Sequence, residues 1–274
     1  MDADVEPTRD KWSRWLEEER WPDERAPFQA ALHAVRDRIL ELADLKPGDI
    51  AVDFGSGTGL LGLKAADFVA PDGLVFLLDV SLDSLQIAAR LATTGREHFL
   101  AASGEHCPLA DMSIDAVMMR SVLIYIPDRR AAATEIGRIL RPRGRMVAYE
   151  PINRKMAHIV DMTDFSDIEK AYRLAMDANP LTNFDEHDLM DAFIEAGFSS
   201  VDHELGLSQF PVRGKEWAHG FKHGAPAGYN AYDMLLSSGI TRARADEFVA
   251  AGERQLGENW TVWSCPVVYL TAMR

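Results

Sequence analysis

Asp53-Phe54-Gly55-Ser56-Gly57-Thr58-Gly59 places three glycines within five residues, directly after an acidic side chain. Glycines at that density let backbone N–H groups approach a bound polar ligand that side chains would hold off. Taken literally, Gly57, Gly59 and Gly62 satisfy G-x-G-x-x-G, the fingerprint of a dinucleotide site and so of an NAD-dependent oxidoreductase. The register speaks against that reading. In such a site the first glycine closes the strand, a role that falls to Gly55, and the register of Gly55 puts Leu60 where the third glycine belongs. Asp53 would also set a carboxylate beside a pyrophosphate, whereas a cation or an amine suits it better.

These residues need a scaffold, and the apolar pattern supplies one. Phe28, Ala31, Leu32, Val35, Ile39 and Leu42 recur at helical spacing until Lys46-Pro47-Gly48-Asp49 stops the helix. Ile50 to Phe54 reads as a strand, and Leu60 to Val69 resumes the helical period after the glycine turn. Leu74 to Leu78, His98 to Ala102, Ala116 to Met119 and Met146 to Glu150 read as further strands, with helices at Ser81 to Thr93 and Arg129 to Leu140 between them. Five βα steps between residues 50 and 150 predict an α/β protein with a doubly wound, mainly parallel sheet. Beyond Glu150 the spacing predicts helices over Met156 to Met176 and Asp185 to Ala196, then a strand over Val201 to Ser208. Glycines and prolines between Pro211 and Tyr229 predict a loop carrying Trp217, His219, Phe221 and His223. Thr241 caps a helix to Gln255, and Val262 to Thr271 is the last strand.

At the turn and the strand ends the chain resembles the class I S-adenosylmethionine-dependent methyltransferases, and in particular the small-molecule enzymes akin to the ubiquinone/menaquinone C-methyltransferases. The resemblance runs over about residues 27 to 155. Asp53, Gly55, Gly57 and Gly59, with Ser56 among them, match its first motif, which implies a seat for the methionine part of the cofactor and support of its ammonium by Asp53. Asp79, twenty residues after Gly59, matches the acidic residue that accepts both ribose hydroxyls, and Val80 would lie against the adenine. Ser103, Gly104 and Glu105 occupy the adenine-edge segment, where members usually carry Asp in place of Ser103. Asp115 to Ser121 matches the fourth strand, with Arg120 bordering the cleft, and Arg143 stands where a glycine is usual in the turn before the fifth.

The resemblance implies a seven-stranded Rossmann-like methyltransferase fold, its last strand antiparallel, with helical cap elements. Residues 1–274 would form a single methyltransferase domain: an N-terminal helical lid over 1–45, the cofactor-binding core over 46–154, and substrate-side helices with the last two strands over 155–274. S-adenosylmethionine would be the cofactor and S-adenosylhomocysteine its product. The activity implied is methyl transfer to a small, partly apolar molecule at oxygen, nitrogen or carbon. A protein of this fold that binds the cofactor without methylating is the alternative, and the oxidoreductase a weaker one.

Tyr125, Glu150 and His158 come from the ends of the fourth and fifth strands, which in a doubly wound sheet face the cofactor crevice. Glu150 or His158 could take a proton from the acceptor, and Tyr125 could orient or pack it. Against this, Glu150 could pair with Arg154 or cap a turn. His219 and His223 share the spacing of metal ligands but have no acidic or cysteine partner nearby in sequence, so no metal is expected. Trp12, Trp15 and Trp21 lie in a charged N-terminal segment and would either cover the cleft or pack on the body.

Composition sets the outer bounds. Of 274 residues 47% are hydrophobic, enough for a sizeable core, and 29 basic against 43 acidic residues leave a formal charge of −14. That surface repels phosphate backbones, so no nucleic-acid partner is expected. Two cysteines, Cys107 and Cys265, suit a reducing compartment better than a disulfide framework. With no leader-like start and no apolar run long enough for a bilayer, a cytoplasmic protein without membrane association is expected. The composition sets no oligomeric state.

Overall fold

The computed structural model describes residues 10–20 and 26–274. Trp21 and residues 1–9 of the expected lid lie outside the described residues. Seven strands form one sheet: β1 (Ile50–Phe54), β2 (Leu74–Asp79), β3 (Glu97–Ala101), β4 (Ile114–Arg120), β5 (Leu140–Pro151), β6 (Ser200–Val212) and β7 (Thr261–Met273), in the order β3-β2-β1-β4-β5-β7-β6. The strands β3, β2, β1, β4 and β5 run parallel, whereas β7 pairs antiparallel with both β5 and β6. The seven-stranded, mainly parallel sheet with an antiparallel last strand is therefore present as expected.

Near-continuous apolar runs make this arrangement work, because both faces of a parallel sheet are covered by helices. Alternation along β4 shows it: Ala116 and Met118 enter one core, Val117 and Met119 the other. One layer holds α2 (Ala26–Ala43), α3 (Gly62–Val69) and α4 (Leu82–Leu91), which bury Ile39, Ala65 and Leu85. The opposite layer holds α5 (Arg129–Ile139) and α7 (Glu186–Glu195), with Ile136 and Phe193 inside. A third cluster packs α6 (Ser166–Ala178), α8 (Gly214–His223), α9 (Ala231–Ser237) and α10 (Arg242–Leu256) around Ile168, Trp217, Leu235 and Phe248. Most of this annex lies between β6 and β7. Before α2, the short helix α1 (Lys11–Arg14) continues into a π-helical turn, Trp15–Glu19.

Two stretches differ from expectation. Met156 to Met176 is not one helix, because Asp161 accepts the Thr163 N–H at 2.9 Å and this side-chain turn competes with helix propagation. The helix starts at Ser166 instead. Conversely, the glycine-rich stretch after Pro211 contains a helix, α8, rather than a loop throughout. Close packing against α10 explains the glycine that opens it: a Cβ at Gly214 would sit 2.2 Å from the Glu253 carbonyl oxygen, and on the α10 side one at Gly252 would sit 2.4 Å from the Trp217 ring. Residues separated widely in sequence decide that helix, so local composition misleads.

Near the start of β5, where its pairing with β4 is irregular between Leu140 and Arg145, Arg143 has φ +69°, the left-handed region that explains why glycine is usual there. Arg143→Gly is expected to stabilise the protein by about 0.5–1 kcal/mol, the relief of side-chain strain exceeding the added chain entropy. Urea unfolding measures it, and a less stable glycine variant contradicts it.

Candidate active site

The switch between β1 and β4, whose crossovers leave on opposite faces, opens a crevice at the carboxyl ends of the strands. A cavity of about 560 Å³ occupies it, within the usual range of small-molecule sites. Its wall brings together Asp53, Gly55, Ser56, Gly57, Asp79, Val80, Ser103, Gly104, Glu105, Arg120 and Tyr125. Gly59 lies behind this wall, where a Cβ would meet Leu63 at 2.7 Å and Leu77 at 3.2 Å.

The glycine turn is shaped by contact as well as by dihedral angle. Gly55 has φ +71°, and a Cβ there would fall 2.5 Å from Val122 Cγ2. Asp53, buried at the end of β1, accepts the Gly62 N–H at 2.7 Å and so anchors the start of α3. Asp79 ties the turn to the next loop: one oxygen accepts the Gly57 N–H at 2.7 Å, the other the Ser81 N–H at 2.8 Å. Burial raises the Asp79 pKa against these donors. Ser103 Oγ accepts the Glu105 N–H at 3.3 Å, and Gly104 lies so close to Phe54 that a Cβ would approach its ring to 2.5 Å.

Burial also pushes the Asp53 carboxyl up to about 7, opposed by the Gly62 N–H and reinforced by Asp79. An acid whose folded pKa exceeds its unfolded value of 3.8 favours folding most when protonated, and that contribution is lost as pH rises towards 7. Asp53→Asn keeps an acceptor for Gly62 without the charge. In the ligand-free protein, its stability relative to wild type is expected to improve between about pH 4 and 7. Thermal melts across that range check the sign, and a relative loss contradicts it.

Glu150 and His158 lie outside this cavity wall. Glu150 is completely buried, with one carboxylate oxygen accepting the Val122 and Leu123 N–H groups at 2.9 Å each and the other the Ile124 N–H at 3.3 Å. It holds the turn that carries Tyr125, and burial pushes its pKa up to about 7 against those amides. Of the two structural roles open to Glu150, the geometry matches the turn cap. His158 lines a second cavity of about 330 Å³, where its ring meets Tyr172 edge-on at 5.6 Å and desolvation lowers its pKa.

The second cavity is walled by aromatic and aliphatic side chains, among them Phe210, Trp217, Phe221, Tyr229, Met234 and Trp263. The two cavities share Arg20, Leu32 and Gly224 in their walls. Across this junction lies the N-terminal segment. Asp10 caps α1, its Oδ2 accepts the Ser81 hydroxyl at 2.6 Å, and Trp15 Nε1 donates to the His223 carbonyl at 2.7 Å. Trp12, Tyr125 and Tyr229 form a three-ring cluster with centroids 5.0 to 5.7 Å apart. Arg20 and Arg120 place two guanidinium groups beside Tyr125. Burial and their mutual repulsion lower the pKa of Arg20 to about 9, and burial lowers that of Arg120. Arg20 carries no motif within Glu17-Glu18-Glu19-Arg20, so its place in both walls is visible only in the fold. Likewise Tyr229 joins the cluster from the far annex.

His219 and His223 do lie on one helix, with ring centroids 4.9 Å apart. Among the described residues the one group with metal-ligand proximity is Asp185, Glu186 and His187, in which Asp185 caps α7 and Glu186 pairs with Lys155.

Comparison with known proteins agrees with this geometry. Residues 52–148 match the family described as Methyltransferase domain. The ubiquinone/menaquinone biosynthesis C-methyltransferase UbiE of Ectopseudomonas mendocina (strain ymp) is 29% identical over 191 residues, 64% of this chain and 75% of that protein. A SAM-dependent methyltransferase from Aquifex aeolicus superposes with TM-score 0.53 over 96% of this chain and 97% of its own, at 14% identity. The [4+2]-cyclase SpnF gives TM-score 0.55 over 92% of this chain and 84% of its own, at 20% identity. The chain is a class I S-adenosylmethionine-dependent methyltransferase. Its cofactor is S-adenosylmethionine, and the site fits that group. The glycine cradle is open to the cavity, and Ser56 Oγ is buried within it without a hydrogen-bond partner among the described residues.

Proposed function

We propose that the chain methylates a small, largely apolar molecule held in the aromatic chamber. One observation carries this reading: the cavity lined by the cofactor motif and the apolar chamber share Arg20, Leu32 and Gly224. S-adenosylmethionine supplies an electrophilic methyl group on a sulfonium. The protein must then bring a nucleophile to attack distance in a desolvated space, and an apolar chamber beside the cofactor cleft does both. The C-methyltransferase relative supports carbon as the accepting atom.

In this reading Asp79 holds the ribose hydroxyls, Ser103, Gly104 and Glu105 border the adenine, and Gly55, Ser56 and Gly57 seat the methionyl part. Asp53 supports that turn through Gly62. Arg20 and Arg120 offer positive charge to an anionic group. Tyr125 packs or orients the acceptor at the junction, where Trp12 from the N-terminal lid and Tyr229 from the annex close around it. Glu150 acts by ordering the turn beneath Tyr125, and His158 is a group on the chamber wall able to accept a proton.

A second reading is a protein that binds the cofactor without methylating, which the shared fold of the [4+2]-cyclase supports. Incubation with methyl-labelled S-adenosylmethionine and a metabolite extract separates the two. Label in a low-mass product is the expected result. Label confined to macromolecules contradicts the small-molecule acceptor, and cofactor binding without any transfer favours the second reading.

A further inference from the structure

Arg20 stands at the junction of the two cavities and lines both, half-buried rather than enclosed. Among the described residues of the chamber wall it is the one arginine or lysine. The one acid in that wall, Glu216, is held by Arg213 at 3.0 Å. Thr182 Oγ1 donates to the Met176 carbonyl at 3.0 Å, and Asn230 bonds Asp233 through both ends of its amide. An acceptor entering the chamber from the cofactor side therefore meets a guanidinium first and aromatic rings beyond it.

The cofactor cavity adds a second guanidinium. Arg120 lines it from the end of β4, reaches Ser121 Oγ at 3.5 Å and forms no ion pair among the described residues. The two arginines lie close enough for their repulsion to add to burial in lowering the Arg20 pKa. Cations crowded into a poorly solvated cleft call for anions. The cofactor carries one carboxylate, but it also brings a sulfonium and an ammonium. Arg120, confined to the cofactor cavity, is placed for that carboxylate, whereas Arg20 also faces the acceptor side.

We propose that the acceptor is a carboxylic acid with an apolar, ring-containing body, its carboxylate held by Arg20 at the mouth of the chamber. The proposal rests on the reading of this chamber as the acceptor site. The planar fork of arginine matches two carboxylate oxygens and fixes their direction, so one contact supplies both affinity and orientation. Phe210, Trp217, Phe221 and Trp263 then take up the body. Arg20 binds and orients the acceptor, with no proton transfer assigned to it.

The test is calorimetric titration of the full chain, saturated with S-adenosylhomocysteine, with 2-naphthoate and with its neutral counterpart 2-naphthamide. Wild type is expected to prefer 2-naphthoate by about tenfold or more. Arg20→Gln should bind both compounds alike, and Arg20→Lys should restore part of the preference through charge without the fork. Equal affinity of wild type for both compounds overturns the proposal, as does a preference that survives in Arg20→Gln. S-adenosylhomocysteine titrated into Arg20→Gln tests the other source of a carboxylate. A loss there larger than the loss for 2-naphthoate assigns Arg20 to the cofactor and overturns the proposal. Failure of wild type to bind either compound overturns the acceptor-chamber reading itself.

Discussion

Replacing Glu150 with alanine is expected to cost about 3–6 kcal/mol of stability, because it leaves three backbone N–H groups around Val122, Leu123 and Ile124 without their acceptor in a dry interior. Relief of the carboxylate's own burial offsets part of the loss, since that burial already pushes its pKa up to about 7. The melting temperature should fall by roughly 10 °C or more. Glu150→Gln retains a carbonyl acceptor and should lie between wild type and alanine. If Glu150 instead acted mainly as a base, the alanine variant would melt within about 1–2 °C of wild type. A large drop in stability, partly recovered by glutamine, assigns Glu150 to the turn that carries Tyr125.

Asp79→Ala is expected to weaken S-adenosylhomocysteine binding by about 100-fold, close to 3 kcal/mol. Two charge-assisted hydrogen bonds to ribose hydroxyls could supply more, but the carboxylate already holds the Gly57 and Ser81 N–H groups and must share them with the ligand. Asp79→Asn should fall between, since it keeps acceptor geometry and loses charge. Acidification should act in the same direction on wild type, because burial raises the Asp79 pKa and protonation removes the charge the hydroxyls require. Circular dichroism must show an intact fold in the alanine variant. Affinity within about threefold of wild type would remove Asp79 from the cofactor site.

Much of the cofactor side is legible in the chain because its determinants are local. A strand closed by Asp53 and a glycine turn, then a strand closed by Asp79, fix where a parallel sheet must open, and the fold brings them within one hydrogen bond of each other. Glu150 is harder. Its neighbours Val147, Ala148 and Tyr149 announce a buried strand, but the amides it holds come from a turn some 26 to 28 positions earlier, which no spacing rule reveals. The same limit applies to α8, whose Gly214 reads as a loop residue until Glu253 of α10 is packed against it. Arg20, in a charged run without a motif, joins the site only because the N-terminal segment is tied to Ser81 at one end and His223 at the other.

Calorimetric titration of the wild-type chain with S-adenosylhomocysteine and, separately, with NAD distinguishes the two cofactor classes directly. In the proposed reading the glycine turn would seat an amine-bearing methionyl group beside Asp53, and it has Leu60 where a dinucleotide turn needs glycine. Saturable one-to-one binding of S-adenosylhomocysteine, with no heat from NAD at the same concentrations, is therefore the predicted result. Binding of NAD with no response to S-adenosylhomocysteine would contradict it.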